Sequence, residues 1–295
     1  MTLSEYSNYV AKRINAFMEH YLDDLDNDVP KLKEALRYGL LLGGKRARPL
    51  LVYATGSMLG QSEDRLDYVA AACECIHAYS LIHDDMPEMD NDRLRRGQET
   101  VHVKFGQAEA LLAGDTLQAL AFEFLSDPRS ALSAPCVVKL TEYLAKFSGY
   151  RGMCGGQALD LFAENVKIPL ENLRLLHEKK TGALIKAAVL MGAVAAEKSD
   201  AELLGRLTCY AEKVGLAFQI WDDVLDVIGD TAVMGKNALS DENLNKSTYP
   251  SLLGLERSKT LAREAADGAV AALKDLPYET SLLQEFALFC VTRDH

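Results

Sequence analysis

Strand-like alternation of apolar and polar positions is scarce along this chain, and most segments between its 8 prolines are rich in strong helix formers. Alanine, leucine, glutamate, lysine and methionine dominate these segments, whereas β-branched runs are few. The pattern therefore predicts an all-α protein without a sheet. The predicted helices are 3–22, 30–42, 47–60, 64–86, 101–126, 134–148, 150–164, 171–197, 200–228, 246–254, 256–274 and 279–292.

Two stretches within these helices are apolar on most of their faces, which is typical of helices at the centre of a fold. They are 184–197 (LIKAAVLMGAVAAE) and 210–228 (YAEKVGLAFQIWDDVLDVI). The polar stretch 229–247 predicts a long loop, and loops of such length in compact domains are usually functional or disordered. Because we find no internal repeat and no linker, we interpret residues 1–295 as a single domain.

The segment 81–92, LIHDDMPEMDND, places acidic residues directly after an apolar helix, where the helix dipole already disfavours negative charge. Pro87 removes a backbone donor and disfavours a helical Met86, so the helix should kink or end there. Such a bend would bring Asp90 back under Asp84 despite a spacing of six. The acidic residues of this first cluster are Asp84, Asp85, Glu88, Asp90 and Asp92.

The second acidic cluster, DDVLD, lies in an apolar helix and contains Asp222, Asp223 and Asp226. Asp222 and Asp226 are four residues apart and share a helix face, where two bare carboxylates repel each other. Mg²⁺ favours carboxylate oxygens and completes its shell with waters and substrate phosphates. A single acidic cluster is more often a solvated helix end, but two clusters on apolar helices favour a metal site.

Basic residues at several separate places are suited to phosphate. Gly43 and Gly44 permit close backbone approach next to Lys45, Arg46 and Arg48, beside a helix N-terminus. Each basic pair alone is usually a surface feature, and each His or Gln alone is usually a core group. Together they favour two bound anions, one held through metal and one held directly. The other candidates are Arg95, Arg96, His77, Lys180 with Thr181, Lys236, Lys246, Gln157 and Gln219.

Composition limits the classes of partner. The 295 residues carry a formal charge of −11, which argues against a nucleic-acid ligand. No apolar run is long enough to span a bilayer, and the N-terminal segment lacks the apolar stretch of a signal peptide. The 6 cysteines lie among alanines and leucines, as is typical of reduced thiols, so we expect a cytoplasmic protein.

Several longer motifs resemble those of the trans-isoprenyl diphosphate synthases, most closely the bacterial farnesyl diphosphate synthases, over essentially the whole chain. They are GGKRARP, CIHAYSLIHDDMPEMDNDRLRRG, HVKFG, LAGD, GMCGGQALDL, HEKKTGALI, FQIWDDVLDV, GDT and KSTYP. The resemblance implies a helical bundle around a deep central cavity, and a homodimer. It also implies that dimethylallyl and then geranyl diphosphate are condensed with isopentenyl diphosphate to give farnesyl diphosphate.

The same resemblance implies a set of three Mg²⁺ ions in the active site. Two would bind Asp84 and Asp90 with support from Asp85, and the third would bind Asp222 with support from Asp223 and Asp226. These ions would hold the allylic diphosphate and stabilise the charge that develops when its carbon–oxygen bond breaks.

Roles for the remaining candidates follow from the resemblance too. Arg95, Lys180 and Lys236 would help to hold the allylic diphosphate, and Gly44, Lys45, Arg48, His77 and Arg96 would bind isopentenyl diphosphate. The Lys180 carbonyl, the Thr181 hydroxyl and Gln219 would stabilise the allylic cation, and Gln157 would contact substrate. Lys246, Arg293 and closure of 229–247 would shield the cation from water.

In this family an aromatic residue five positions before the first acidic motif tends to limit product length, and Tyr79 occupies that position here. Tyr79 would lie about 7.5 Å along the helix from Asp84, while Ser80 is more directly beneath Asp84. We expect the farnesyl product, with Tyr79 limiting its length. The alternative is that Tyr79 is an ordinary aromatic residue of the core.

Two other classes of protein remain open at this point. A terpene cyclase uses similar acidic motifs but does not need a second diphosphate site, against which the basic candidates argue. A helical di-iron protein would use a pair such as Glu74-x-x-His77 and needs a second such pair on another helix.

Overall fold

The computed structural model describes residues 1–198, 200–228 and 247–293. In these residues the protein is a bundle of helices, which confirms the predicted class. The α-helices are α1 (Leu3–Asp24), α2 (Pro30–Leu41), α3 (Ala47–Met58), α4 (Glu63–Asp84), α5 (Val101–Phe105), α6 (Gln107–Ser126), α7 (Ala134–Ser148), α8 (Met153–Ala163), α9 (Leu170–His177), α10 (Ala183–Ala195), α11 (Ala201–Ile228), α12 (Tyr249–Leu253), α13 (Leu255–Ala272) and α14 (Ser281–Phe289). A 3₁₀ turn (Pro128–Ser130) precedes α7.

Helix boundaries coincide with local capping signals. Thr2 and Glu5 form a reciprocal capping box at the start of α1. Pro30 occupies the first position of α2, where its missing N–H costs nothing, and the Ser133 hydroxyl accepts a hydrogen bond from the Cys136 N–H at the start of α7.

Helix α10 lies at the centre of the bundle, as its sequence predicts. Every residue of α10 except Lys186 is buried. Gly192 lets α3 approach closely, because an added Cβ would lie 2.7 Å from the Val52 carbonyl oxygen. The main apolar cluster runs from Tyr6 to Cys290, so the first and last helices share one core.

The prediction of no sheet was wrong in one small region. Strands β1 (Leu94–Arg95) and β2 (Gln98–Glu99) form an antiparallel ribbon in which Leu94 pairs with Glu99. Arg96 and Gly97 connect them with φ values of 55° and 76°, as a tight hairpin turn requires. Arginine is an unusual first residue for such a turn, so the sequence carried only a weak signal.

Two predicted helices are interrupted. The predicted helix 101–126 divides into α5 and α6 at Gly106, whose φ of 102° is incompatible with a continuous helix. The predicted helix 171–197 contains a π-helical turn (Glu178–Gly182) between α9 and α10. Gly156 of α8 makes room for that turn, since an added Cβ would lie 2.1 Å from the backbone nitrogen of Lys180. Such turns are frequent at functional sites.

Candidate active site

A cavity of about 890 Å³ opens between the start of α3, the second half of α4, α8, the π-helical turn and α11. Asp84 and Asp222, one from each acidic cluster, both border it. The structure thus brings to one cavity two side chains that are far apart in the sequence, as the paired clusters predicted.

The first acidic cluster lies where α4 ends. Burial raises the pKa of the Asp84 carboxyl to about 6, with neighbouring Asp90 adding to the effect and Lys180 opposing it. The Asp90 N–H donates to the Asp84 carbonyl at 2.8 Å, so the chain folds back after Pro87 as predicted.

Asp85, the next residue, is engaged by a neighbouring cation. It is buried, and it accepts hydrogen bonds from Arg95 Nε at 2.8 Å and from a terminal Arg95 nitrogen at 2.5 Å. This fork of hydrogen bonds anchors the β1–β2 ribbon to the end of α4.

The second acidic cluster is contacted by the C-terminal segment. The Arg293 guanidinium donates to the Asp222 carboxylate at 2.5 Å and lies 4.1 Å from the centre of the Phe218 ring. The Trp221 indole N–H donates to the Arg293 carbonyl at 3.0 Å, which fixes the segment at this point.

Asp223 joins the cluster to neighbouring elements. It is buried, and it accepts hydrogen bonds from the Tyr249 N–H at 2.9 Å and from the Gln219 amide at 3.3 Å. The Gln219 carbonyl oxygen in turn accepts the Thr181 hydroxyl at 2.8 Å. The side chain of Asp226, one helical turn further, is partly exposed.

The π-helical turn presents Lys180 and Thr181 to the cavity. The Lys180 ammonium donates to the largely buried Asp160 at 2.6 Å, which holds it on the α8 side. A backbone turn of this kind leaves carbonyl groups outside the regular helical ladder, and such groups can face a ligand.

A group of basic side chains borders the same cavity, comprising Lys45, Arg48 and Arg96 together with His77. Burial and the neighbouring arginines hold the pKa of His77 well below its usual range, so its imidazole is neutral. Arg96 packs against Gly44, where an added Cβ would lie 2.5 Å from the guanidinium, and donates to the Gly43 carbonyl.

The remaining wall of the cavity is largely apolar. Tyr79 borders it, and its hydroxyl lies 3.2 Å from the Cys154 sulfur on α8. Ser80 also borders it, with its hydroxyl donated to the His77 carbonyl at 2.9 Å. Gln157 lies on the same wall, and no hydrogen-bond partner for its amide nitrogen occurs among the described residues.

Sequence reasoning missed several residues around the cavity, namely Cys154, Asp160, Leu161 and Phe218. The α8 face was detectable, because Cys154, Gln157, Ala158 and Leu161 follow helical spacing. The predicted candidates Lys236 and Lys246 and most of 229–247 lie outside the described residues.

The structure does not favour the di-iron alternative. Glu74 is 3% exposed and its carboxylate accepts a hydrogen bond from the Arg46 guanidinium at 2.5 Å. Across the described ranges, no three His, Cys, Asp or Glu side chains converge as a ready metal site.

No helix in the described part of the chain is long and apolar enough to cross a membrane.

Comparisons with known proteins agree with this geometry. A model of the polyprenyl synthetase family matches residues 29–276. The farnesyl diphosphate synthase of Escherichia coli K12 is 51% identical over 287 residues, covering 96% of each chain. An apo FPP/GFPP synthase from Zymomonas mobilis superposes with a TM-score of 0.87 at 40% identity, covering 98% of both chains.

A further solved structure is a geranyltransferase from Helicobacter pylori complexed with magnesium and isoprenyl diphosphate. It is 37% identical, with a TM-score of 0.83, and the match covers 98% of this chain and 96% of that chain. These matches confirm what the motifs predicted: the chain is an enzyme of the polyprenyl synthetase family.

Proposed function

We propose that the chain condenses dimethylallyl and then geranyl diphosphate with isopentenyl diphosphate in this cavity, giving farnesyl diphosphate. One observation carries the proposal: a single cavity is bordered by aspartates of both acidic clusters, by basic side chains that include Lys45, Arg48 and Arg96, and by an apolar wall. The farnesyl diphosphate synthase of Escherichia coli, at 51% identity, supports the same product.

The acidic clusters fit magnesium. Asp84, Asp90 and Asp222 offer hard carboxylate oxygens, with Asp85, Asp223 and Asp226 behind them, and the absence of a closed ligand set among the described residues suits an ion that takes water and phosphate. Three bound Mg²⁺ ions would neutralise the charge that grows on the diphosphate leaving group. The magnesium in the Helicobacter pylori complex supports this metal.

The allylic substrate is held by residues around the acidic clusters. Arg95 and Lys180 add positive charge beside Asp84, as their effect on the pKa of that carboxyl indicates. When the allylic carbon–oxygen bond breaks, the Lys180 carbonyl, the Thr181 hydroxyl oxygen and Gln219 stabilise the cation. The hydrogen bond between Thr181 and Gln219 fixes both groups before the reaction begins. A role for Lys236 in this site stays a prediction.

Isopentenyl diphosphate binds directly to the second basic group, comprising Gly44, Lys45, Arg48, His77 and Arg96. His77, whose pKa is lowered by burial and by the neighbouring arginines, supplies a hydrogen-bonding group there. Two negatively charged substrates are thereby held side by side, and the double bond of one attacks the cation of the other. The released diphosphate accepts the proton that leaves. Gln157 contributes to the substrate cavity an amide nitrogen that has no hydrogen-bond partner among the described residues.

Product length is set by the apolar wall. Tyr79 is 5% exposed and its hydroxyl reaches across to Cys154, so its ring cannot move aside easily. Ser80 lies beside it on the same wall. We infer that this barrier stops growth at the farnesyl chain.

The proposal includes the setting of the enzyme. The shared core supports one catalytic domain over 1–295. We also propose that the enzyme is a homodimer, with the exposed Leu111 and Leu112 of α6 as candidate interface residues. All six cysteines are unpaired, which supports a cytoplasmic location. Arg293 at Asp222 is assigned to shielding the site, and the roles of Lys246 and 229–247 stay predictions.

Product analysis tests the function. Purified protein is supplied with dimethylallyl and isopentenyl diphosphates and Mg²⁺, and the prenyl products are separated by length. Farnesyl diphosphate as the main product is expected, and geranyl or geranylgeranyl diphosphate would correct the chain length. Release of a cyclic hydrocarbon from farnesyl diphosphate alone would favour the terpene cyclase class instead.

A further inference from the structure

Arg46 lies in sequence between Lys45 and Arg48, two cations that border the cavity. Its own guanidinium is hydrogen-bonded to other groups of the protein. Arg46 is 4% exposed, and its guanidinium donates to Glu74 at 2.5 Å, to the Asn15 side chain at 2.9 Å and to the Leu40 carbonyl at 2.9 Å. These acceptors come from α4, α1 and α2. All three guanidinium nitrogens are therefore occupied.

The backbone at Arg46 is unusual too. Gly43, Gly44 and Arg46 all have positive φ, at 95°, 121° and 46°. A left-handed conformation is disfavoured for a residue with a Cβ, so the contacts of the Arg46 side chain must hold it there. The same loop carries Lys45 and Arg48 to the cavity.

The Glu74 carboxylate lies close to a second arginine. Burial lowers the pKa of Arg48 and Glu74 counteracts this, which places the two charges in electrostatic contact. One Glu74 oxygen and the Arg48 Nε are buried, and neither has a hydrogen-bond partner within the part of the chain that is described. Arg46 thus occupies one Glu74 oxygen while Arg48 stays unbonded at Nε.

We propose that Arg46 is a positioning residue, which neutralises Glu74 so that Arg48 remains available to the isopentenyl diphosphate. The inference rests on the proposed assignment of that substrate to the Arg48 side of the cavity. Without Arg46, a buried carboxylate has to find another cation, because an unpaired buried charge is costly. Arg48 is the neighbour that can supply it, and its guanidinium would then turn from the substrate towards Glu74.

The first experiment measures KM for each substrate in Arg46→Met. We expect KM for isopentenyl diphosphate to rise about tenfold, the equivalent of one charge-assisted hydrogen bond. KM for geranyl diphosphate should stay within about twofold, since the acidic clusters are untouched. Equal changes in both constants, or no change in either, would overturn the proposal.

The double variant Arg46→Met/Glu74→Gln separates charge from packing. With the carboxylate gone, Arg48 has no buried acid to neutralise, so KM for isopentenyl diphosphate should return to within about threefold of the unmodified enzyme. Melting temperature should remain lowered, because the bonds to Asn15 and Leu40 are still missing. A KM that stays as high as in Arg46→Met contradicts the proposal.

Arg13→Met is the matched control, because Arg13 also joins α1 to α4 through a largely buried carboxylate. Its guanidinium binds Asp67 at 2.7 Å, away from the residues that border the cavity. This variant should lose stability without changing the ratio of the two KM values. If it raises the ratio as much as Arg46→Met does, general destabilisation explains both and the proposal fails.

Three further variants keep the test decisive. If Arg46→Met does not fold, Arg46→Lys and Glu74→Gln each avoid an unpaired carboxylate, and neither should raise KM for isopentenyl diphosphate more than about threefold. A tenfold rise in either one refutes the mechanism. Arg48→Ala examines the underlying assignment: if it leaves that KM unchanged, the proposed substrate site is wrong. If it raises KM while Arg46→Met does not, only this inference is wrong.

Discussion

The two acidic clusters are alike in sequence but have different surroundings in the structure. Asp84 borders the cavity with a carboxyl whose pKa burial raises to about 6. Asp222 borders the same cavity, yet it accepts a hydrogen bond from Arg293, which also packs on Phe218. Burial thus destabilises the charged form of Asp84, while Asp222 is hydrogen-bonded directly to a guanidinium.

The second aspartate of each pair behaves more uniformly. Asp85 is 3% exposed and accepts Arg95, whereas Asp223 is 4% exposed and accepts the Tyr249 N–H and the Gln219 amide. In each DD pair, the first residue faces the cavity and the second joins neighbouring segments. Each DD motif therefore combines a candidate metal ligand, its first aspartate, with a second aspartate that holds the surrounding segments in place.

The largest effect is expected when a cavity-facing aspartate is removed. Asp84→Ala and Asp222→Ala should each lower kcat by about 10³-fold, because charge on the leaving group is no longer neutralised. Circular dichroism should show an unchanged helical fold. Activity close to that of the unmodified enzyme in both variants would mean that the clusters are not the metal site.

A smaller effect is expected when the second aspartate of a pair, Asp85 or Asp223, is replaced, and its size should differ between the two. In Asp223→Asn, the amide NH₂ meets a donor, either the Tyr249 N–H or the Gln219 amide, so unfolding free energy should fall by about 1–3 kcal/mol. Rotation of Gln219 would break its bond to Thr181, and kcat should fall about tenfold.

Asp85→Asn is the counterpart, because it keeps one acceptor for Arg95, whereas the hydrogen bond to Gln219 that leads on to Thr181 belongs to Asp223. Its kcat should fall less than that of Asp223→Asn. Steady-state kinetics and urea unfolding of both variants measure the difference, and the reverse order would show that the Gln219 connection has no catalytic importance.

Aromatic residues that precede each cluster allow a comparison of product length. Tyr79 comes five residues before Asp84, and Phe218 comes four before Asp222; both border the cavity. Tyr79→Ala should shift the product towards geranylgeranyl diphosphate, because it opens the wall against Cys154. Phe218→Ala should leave product length unchanged, since its ring packs under Arg293.

Chromatography of the extracted prenyl alcohols measures both outcomes. Cys154→Ala should have a smaller effect than Tyr79→Ala, because it removes only the sulfur that contacts the hydroxyl. Unchanged length in Tyr79→Ala would mean that another part of the wall limits the product.

Much of this site could be predicted because its signals are local. Pro87 dictates the end of α4, and the return of Asp90 to Asp84 follows from that bend. The spacing of the acidic residues and the glycines before Lys45 are likewise readable in short windows of sequence.

Long-range partners could not be predicted in the same way. Arg293 meets Asp222 from 71 positions away, and Glu74 meets Arg46 from 28 positions away. Hydrophobic periodicity predicts which face of a helix is buried. It does not predict which charged side chain of a distant segment pairs with a charged residue on that helix. The π-helical turn at Lys180 was missed for a related reason, since its close packing depends on Gly156 of a different helix.

The last prediction concerns stability and pH, where the buried His177 and the Asp84 carboxyl should act with opposite sign. Burial lowers the pKa of His177, which packs on Tyr249 behind the second cluster, to about 4, while burial raises the pKa of Asp84 to about 6. Between pH 6.5 and 4 the unfolded chain protonates this histidine and the folded protein does not, so stability is lost as pH falls. The Asp84 carboxyl has the opposite effect. The folded protein takes up its proton at a higher pH than the unfolded chain does, so this group adds stability as pH falls.

Urea unfolding in the presence of a chelator, at pH 7 and at pH 4.5, measures these contributions. His177→Gln should reduce the loss of stability on acidification by about 2–3 kcal/mol, whereas Asp84→Asn should increase it by a similar amount. His20→Gln is the control, since His20 is largely exposed on α1 and its replacement should leave the acid loss unchanged. If His177→Gln and His20→Gln behave alike, the His177 imidazole is protonated equally in the folded and unfolded states, and the predicted opposition between His177 and Asp84 is wrong.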